Sequence, residues 1–99
     1  MSIQTQPAPV VRFNPGAVVA TPGALEALHT AQQNAVYFLA RHLRGDWGEL
    51  DDPDTQANNH ALTCRGRLLS AYTLNTGEKL WIITEADRSS TCLLLPSDY

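Results

Sequence analysis

From Arg67 to Pro96 the chain reads R-L-L-S-A-Y-T-L, N-T-G-E, K-L-W-I-I-T-E-A, D-R-S-S, T-C-L-L-L, P. Three β-prone apolar runs are joined by links of four residues each. A parallel crossover needs about a dozen residues or more, so links this short allow only antiparallel neighbours. Gly77 suits the positive φ of a tight hairpin turn, and Pro96 stops the last run. The segment therefore predicts a three-stranded antiparallel meander over 67–74, 79–86 and 91–95. Apolar residues occur at both parities, so helices are expected over one face of the sheet and part of the other.

The residues before Gly66 carry helix signals instead. In T-P-G-A-L-E-A-L (21–28) Thr21 can cap and Pro22 suits the first helical position, with Leu25 and Leu28 on one face. A second helix is expected over 35–44, with Asn34 as cap and Gly45 as stop. Its predicted buried stripe is Val36, Leu39, Ala40 and Leu43, with Arg41 and Arg44 outward. Asp52 and Pro53 restart a third, weakly amphipathic helix through Leu62. Upstream, V10-V-R-F13 and G16-A-V-V-A20 flank the turn signal N14-P15, and one of them is available as a short strand. Residues 1–9 are expected to be a flexible tail. The prediction is one α+β domain over 10–99: two or three helices packed on a C-terminal meander.

A chain of 99 residues holds one modest core. Its net charge of −3 argues against a broad nucleic-acid-binding face, so nucleic acid is not the favoured partner. No signal-peptide pattern and no apolar run near membrane-spanning length is present, which points to a cytoplasmic protein with no membrane partner. Cys64 and Cys92 fit reduced thiols there. No Cys-x-x-Cys, His-x-x-x-His or glycine-rich phosphate loop occurs, so neither a metal nor a nucleotide cofactor is expected. His29, His60 and the two cysteines are scattered.

Two charged bends remain. In R-H-L-R-G-D-W-G (41–48) a rigid loop could present Arg41, His42, Asp46 and the Trp47 indole to a ligand. The competing reading is a helix stop with a hydrophobic plug. His42 as a general base would need a partner to orient its ring, and Asp46 is the nearest acid in sequence. In E-A-D-R-S-S-T (85–91) Glu85 and Asp87 sit two apart beside Arg88, with hydroxyls through Thr91. Paired carboxylates can share a proton or bind a metal, but a turn Asp also bonds to its own backbone. No Gly-x-Ser-x-Gly frame surrounds these serines, so a serine nucleophile is not expected. The N-N-H run at 58–60 reads as solvated or loop-bracing amides. Tyr72 and Trp81 are core residues if they face the helices and a partner patch if they face away.

The segments V-A-T-P-G-A-L (19–25), R-H-L-R-G-D-W-G-E-L (41–50), R-L-L-S-A-Y (67–72) and L-W-I-I-T-E-A-D-R-S-S-T-C-L-L-L-P-S-D-Y (80–99) carry a resemblance. In their order the chain resembles small bacterial proteins of plasmids and other mobile elements. That resemblance covers about residues 16–99 and implies no established activity or catalytic residue. Ala35 departs from it, standing where a Pro would open the second helix.

The leading expectation is therefore an accessory protein of a mobile element that binds a protein or other macromolecular partner. Its surface would combine Arg41, His42, Asp46 and Trp47 with Glu85, Asp87, Arg88 and Thr91. The topology is also similar to RelE-like ribonuclease toxins, a likeness in which Arg67, Arg88, Thr91 and His42 would act. A structural or oligomerising module, monomer or homodimer through an edge strand or the Trp81 face, is the third expectation.

Overall fold

The structure is a computed structural model and describes residues 11–99. The expected tail, and Val10 with it, lies outside the described residues. The order of elements is β1 (Ala17–Ala20), α1 (Pro22–Ala31), α2 (Ala35–Leu43), α3 (Asp52–Cys64), β2 (Leu68–Thr73), β3 (Lys79–Thr84) and β4 (Ser90–Leu94). A 3₁₀ turn over Pro96–Asp98 closes the chain. The fold is α+β, but its sheet differs from the three-stranded antiparallel one expected. It is mixed and four-stranded, in the order β1-β4-β3-β2, with β1 parallel to β4. β2, β3 and β4 form the antiparallel meander.

β1 completes the sheet because β4 would otherwise present a free edge. Ala17 N donates to Ser89 O at 3.0 Å and Thr21 N to Leu93 O at 2.9 Å, enclosing the parallel ladder. The opposite edge, β2, is closed by other means. The Asn58 amide takes both backbone groups of Leu69, donating at 2.5 Å and accepting at 3.1 Å. Ala71 is bonded in turn by Trp47 O and Glu49 N, with Gly48 pressed against the Ala71 carbonyl. Covering an edge in this way removes a template for unwanted strand pairing.

The helix starts follow capping chemistry. Thr21 Oγ1 accepts from Ala24 N at 3.0 Å and Asn34 Oδ1 from Val36 N at 2.9 Å. For α3 the cap is Asp51, which accepts from Asp54 N at 2.9 Å, one residue earlier than expected. Two adjacent acids before a proline offer two starts, and the chain uses the first.

Strand alternation places Leu68, Ser70, Tyr72, Leu80, Ile82, Thr84, Thr91 and Leu93 on one face, where all are buried. From α1, Ala24, Ala27, Leu28 and Ala31 pack on it, with Phe38 of α2. A second cluster joins Trp47, Ala61 and Leu68, flanked by Phe13, Leu50 and Leu62. Each expected helix face is met only in part: Leu28 is buried and Leu39, Ala40 and Leu43 are half-buried. Leu25 is 54% exposed and Val36 is 65% exposed, while Phe38 and His42 are the buried residues of α2. The helix rotates to bury an aromatic ring and an imidazole whose partners lie on the strands.

The other sheet face carries Leu69, Trp81, Ile83, Cys92 and Leu94. Both core clusters draw only on the opposite face, so the helices cover one side of the sheet instead of one and a part. Tyr99 folds over this second face, its ring 5.8 Å from that of Trp81. Tyr72 is thus core, and Trp81 is half-buried on the other side.

Candidate functional site

The segment 12–16 runs between the two charged bends and joins them. Arg12 N donates to Leu43 O at 2.9 Å and Arg12 Nε to Arg44 O at 3.1 Å, tying the segment to the end of α2. The Phe13 ring stands edge-on to His42 at 5.3 Å and stacks with Trp47 at 6.3 Å. On the other side the Arg88 guanidinium lies 5.6 Å from the Phe13 centroid. Gly16 (φ +65°) is packed so closely on the carbonyls of Arg88 and Ser89 that a Cβ there would collide with both. The 45–48 loop and the 85–88 turn are therefore neighbours, with one phenyl ring between them.

The individual side chains at this end are largely committed to internal contacts. Arg41 donates to Asp46 at 2.8 and 3.3 Å, and its guanidinium lies 4.6 Å from the Tyr72 ring centroid. That bond from Arg41 holds the Asp46 carboxyl below its ordinary range, with help from Gly48 N and the Arg44 charge. Asp46 thus serves Arg41 and not His42, contrary to expectation. Trp47 is only 4% exposed and donates Nε1–H to Asn59 Oδ1 at 3.0 Å, so it is a plug. Tyr72 donates to the Asp46 carbonyl at 2.7 Å, and burial pushes its phenol up to about 12.

The 85–91 turn is braced in the same way. Arg88 has a left-handed backbone (φ 61°). Its guanidinium donates to Gly66 O at 2.6 Å and Ala61 O at 3.0 Å, capping carbonyls at the end of α3. It also reaches the carbonyls of Glu85 and Ala86. Asp87 accepts from Ser89 N at 2.9 Å, and the Ser89 hydroxyl, with this backbone N–H, holds its carboxyl below the usual range. Glu85 pairs instead with Arg67 at 3.6 Å on the exposed side of the sheet. The two acids do not converge.

Behind Phe13 lies a polar chain in the core. His42 Nδ1 is 2.5 Å from Ser70 Oγ, and His42 Nε2 is 2.9 Å from Thr84 Oγ1. Thr84 Oγ1 is 2.7 Å from Thr91 Oγ1, which lies 2.7 Å from Pro15 O. A carbonyl only accepts, so Thr91 must donate to Pro15 and accept from Thr84. Thr84 has then used its proton and accepts from His42 Nε2–H. Nδ1 is left as the acceptor for the Ser70 hydroxyl. The chain thereby puts a proton on Nε2, and with the ring neutral Nδ1 accepts from Ser70. Burial, reinforced by the Arg88 charge, lowers the imidazole pKa to about 4.

Ser70 and His42 have the contact of a nucleophile and its base, but both are fully buried and so is Thr84. Their arrangement is that of a satisfied core network. Sequence reasoning found His42 and Thr91 and missed Ser70 and Thr84. The signal available was parity, since both are polar residues at inward positions of otherwise apolar strand rows.

Two depressions at this end share Arg12 and Leu62 in their walls. One, of about 410 Å³, reaches Gly45, Asn59 and Thr63. The other, of about 450 Å³, reaches Arg65, Asp87 and Arg88. A further depression of about 530 Å³ beside α1, with Glu26 and Glu78 in its wall, gathers none of the expected residues. Among the described residues no three His, Cys, Asp or Glu side chains come together as metal ligands, and no helix is long and apolar enough to cross a membrane. Cys64 and Cys92 are free thiols. Comparison of the chain with protein-family models, curated proteins and solved structures finds no match.

Proposed function

We propose that the protein is a binding module that recognises a macromolecular partner along the groove between the 45–48 loop and the 85–88 turn. The observation that carries this reading is that two depressions share Arg12 and Leu62 in their walls, one reaching Gly45 and the other Asp87 and Arg88. Phe13, which lines one of them, interlocks with the buried rings of His42 and Trp47, which suits a preformed docking surface. His42, Trp47 and Thr91 act in this reading as scaffold, and the contacting groups are Arg12, Asn59, Thr63, Arg65 and Asp87. The placement as an accessory protein of a mobile element rests on the resemblance of the segments between residues 16 and 99 alone.

The test is partner capture from host lysate with variants of exposed groove residues. Arg65→Gln and Thr63→Lys should abolish a capture that Glu78→Gln retains. Equal capture by all of them would overturn the groove as the docking surface. A ribonuclease-toxin reading has less geometric support, since Arg67 lies on the sheet face opposite Thr91 and pairs with Glu85. Growth arrest on induction, relieved by Arg88→Ala, would restore it.

A second reading, self-association, is favoured by the sheet face that the helices leave open. Leu69, Trp81, Ile83 and Tyr99 line a shallow depression of about 280 Å³ there, with Arg67 at its rim. It predicts a dimer by sedimentation that Trp81→Lys dissociates, and a monomer at all concentrations would count against it.

A further inference from the structure

Of the seven Lys and Arg side chains, four meet a carboxylate. Arg41 and Arg44 share Asp46, Arg67 pairs with Glu85, and Lys79 with Glu49. Arg12, Arg65 and Arg88 form no ion pair among the described residues, and residues 1–10 contain no Asp or Glu that could supply one. These three line the same depression. A chain with ten acidic residues and a net charge of −3 thus collects its three carboxylate-free guanidinium groups in one place.

The three are held in different ways. Arg88 is fixed by four carbonyls and contributes a stationary positive charge. Arg12 is anchored through its backbone N–H and Nε, and its terminal nitrogens form no hydrogen bond among the described residues. The backbone of Arg65 is set by its left-handed φ of 60° at the end of α3, and its side chain forms no hydrogen bond among the described residues. The one acid in the wall, Asp87, already accepts from Ser89 N. Three guanidinium charges less one carboxylate leave the depression at about +2.

The geometry points to a binding site for a phosphate monoester carried on a small molecule, with Arg12 and Arg65 donating to the phosphate oxygens and Arg88 supplying fixed charge. A phosphate monoester carries about −1.5 to −2 at neutral pH, which matches the depression, whereas a carboxylate leaves it half-neutralised. The planar guanidinium fork suits paired phosphate oxygens. Phe13 and Leu62 give the adjoining wall an apolar character, suited to the organic part of the ligand. The inference rests on the groove being the recognition surface and adds the chemistry of what one end of it holds.

Titration of the full chain near neutral pH with inorganic phosphate, glycerol 3-phosphate and a 5′-phosphorylated single-stranded DNA decides the matter. Glycerol 3-phosphate should bind with a Kd on the order of 1 mM or tighter, and Arg65→Gln or Arg12→Gln should each weaken it about tenfold or more. Lys79→Gln should leave it unchanged. Affinity should fall below about pH 6, where the phosphate gains its second proton. No saturable binding of either small phosphate, or binding indifferent to both Arg variants, overturns the inference. DNA binding that strengthens with strand length would assign the site to a nucleic-acid backbone and overturn the small-molecule ligand. If phosphate fails to bind while Arg65→Gln still abolishes partner capture, this inference falls and the docking groove stands. Phosphate binding with capture unchanged in Arg65→Gln gives the reverse.

Discussion

The Nε2 of His42 lies 2.9 Å from the hydroxyl of Thr84, and that hydroxyl passes its own proton on toward Thr91 and Pro15. One buried imidazole thereby links α2, the three strands of the meander (through Ser70, Thr84 and Thr91) and the segment that leads into β1. It holds together the end of the molecule on which both charged bends converge.

The first prediction concerns pH. The folded pKa of His42 is lowered to about 4 from an ordinary 6.5, so the native state favours the neutral ring. Its contribution is complete above about pH 6.5 and is lost as the pH falls toward 4. At about 1.4 kcal/mol per pH unit this amounts to roughly 3 kcal/mol across the window. Urea denaturation of wild type at pH 7.5 and 4.5, compared with His42→Phe, measures it. The variant should lose this part of the pH dependence, and an unchanged slope would refute the account. Long-range ¹H–¹⁵N spectra of the imidazole should show a proton on Nε2 alone.

Thr84→Val keeps the shape of the side chain and removes the relay. It leaves His42 Nε2–H without an acceptor and Thr91 without its donor, so a loss of about 1–3 kcal/mol is expected. Thr73→Val, on an exposed residue that bonds Glu49 and Lys79, should cost less than about 1 kcal/mol. Comparable losses in the two variants would mean that the buried chain is not a special contributor.

Glycine substitutions separate space from backbone strain. At Gly16 an added Cβ meets the backbone of Arg88 and Ser89, while at Gly77 (φ +90°) nothing lies within 4 Å. Gly77→Ala should cost about 1 kcal/mol, from the left-handed backbone alone. Gly16→Ala should cost several times that and loosen residues 12–20, read as faster amide exchange there. Equal costs would place Gly16 differently from the packing described.

Arg88→Lys keeps the charge but cannot reproduce the fork that reaches Ala61 and Gly66. The expected outcome is a loss of about 1–2 kcal/mol, with faster amide exchange over residues 61–66. Retention of wild-type protection there would show that the cap on α3 is not held by this side chain.

Much of this architecture was written locally. The capping residues Thr21 and Asn34, the turn at Gly77 and the short links between the three β-prone C-terminal runs all act over a few residues, and each element lies where those signals put it. The loop at 45–48 and the turn at 85–88 also behave as local chemistry implies: Asp87 closes on Ser89, and Trp47 plugs the end of α2. The burial of α2 could not be read in this way. Val36, Leu39, Ala40 and Leu43 make an acceptable apolar stripe, and the face with Phe38 and His42 looks worse because it includes an imidazole.

What the sequence determined by itself is the set of elements, because helix caps, turn residues and side-chain periodicity are short-range properties of the chain. The tertiary structure alone decided which helix face turned inward, that Ala17–Ala20 joined β4 in parallel, and that Arg12, Arg65 and Arg88 lined one depression. The physical reason is that these outcomes depend on partners 20 to 80 residues away. A buried histidine is affordable only where Ser70 and Thr84 wait for it, and a strand edge is filled by whichever distant segment can satisfy its open carbonyls and amides.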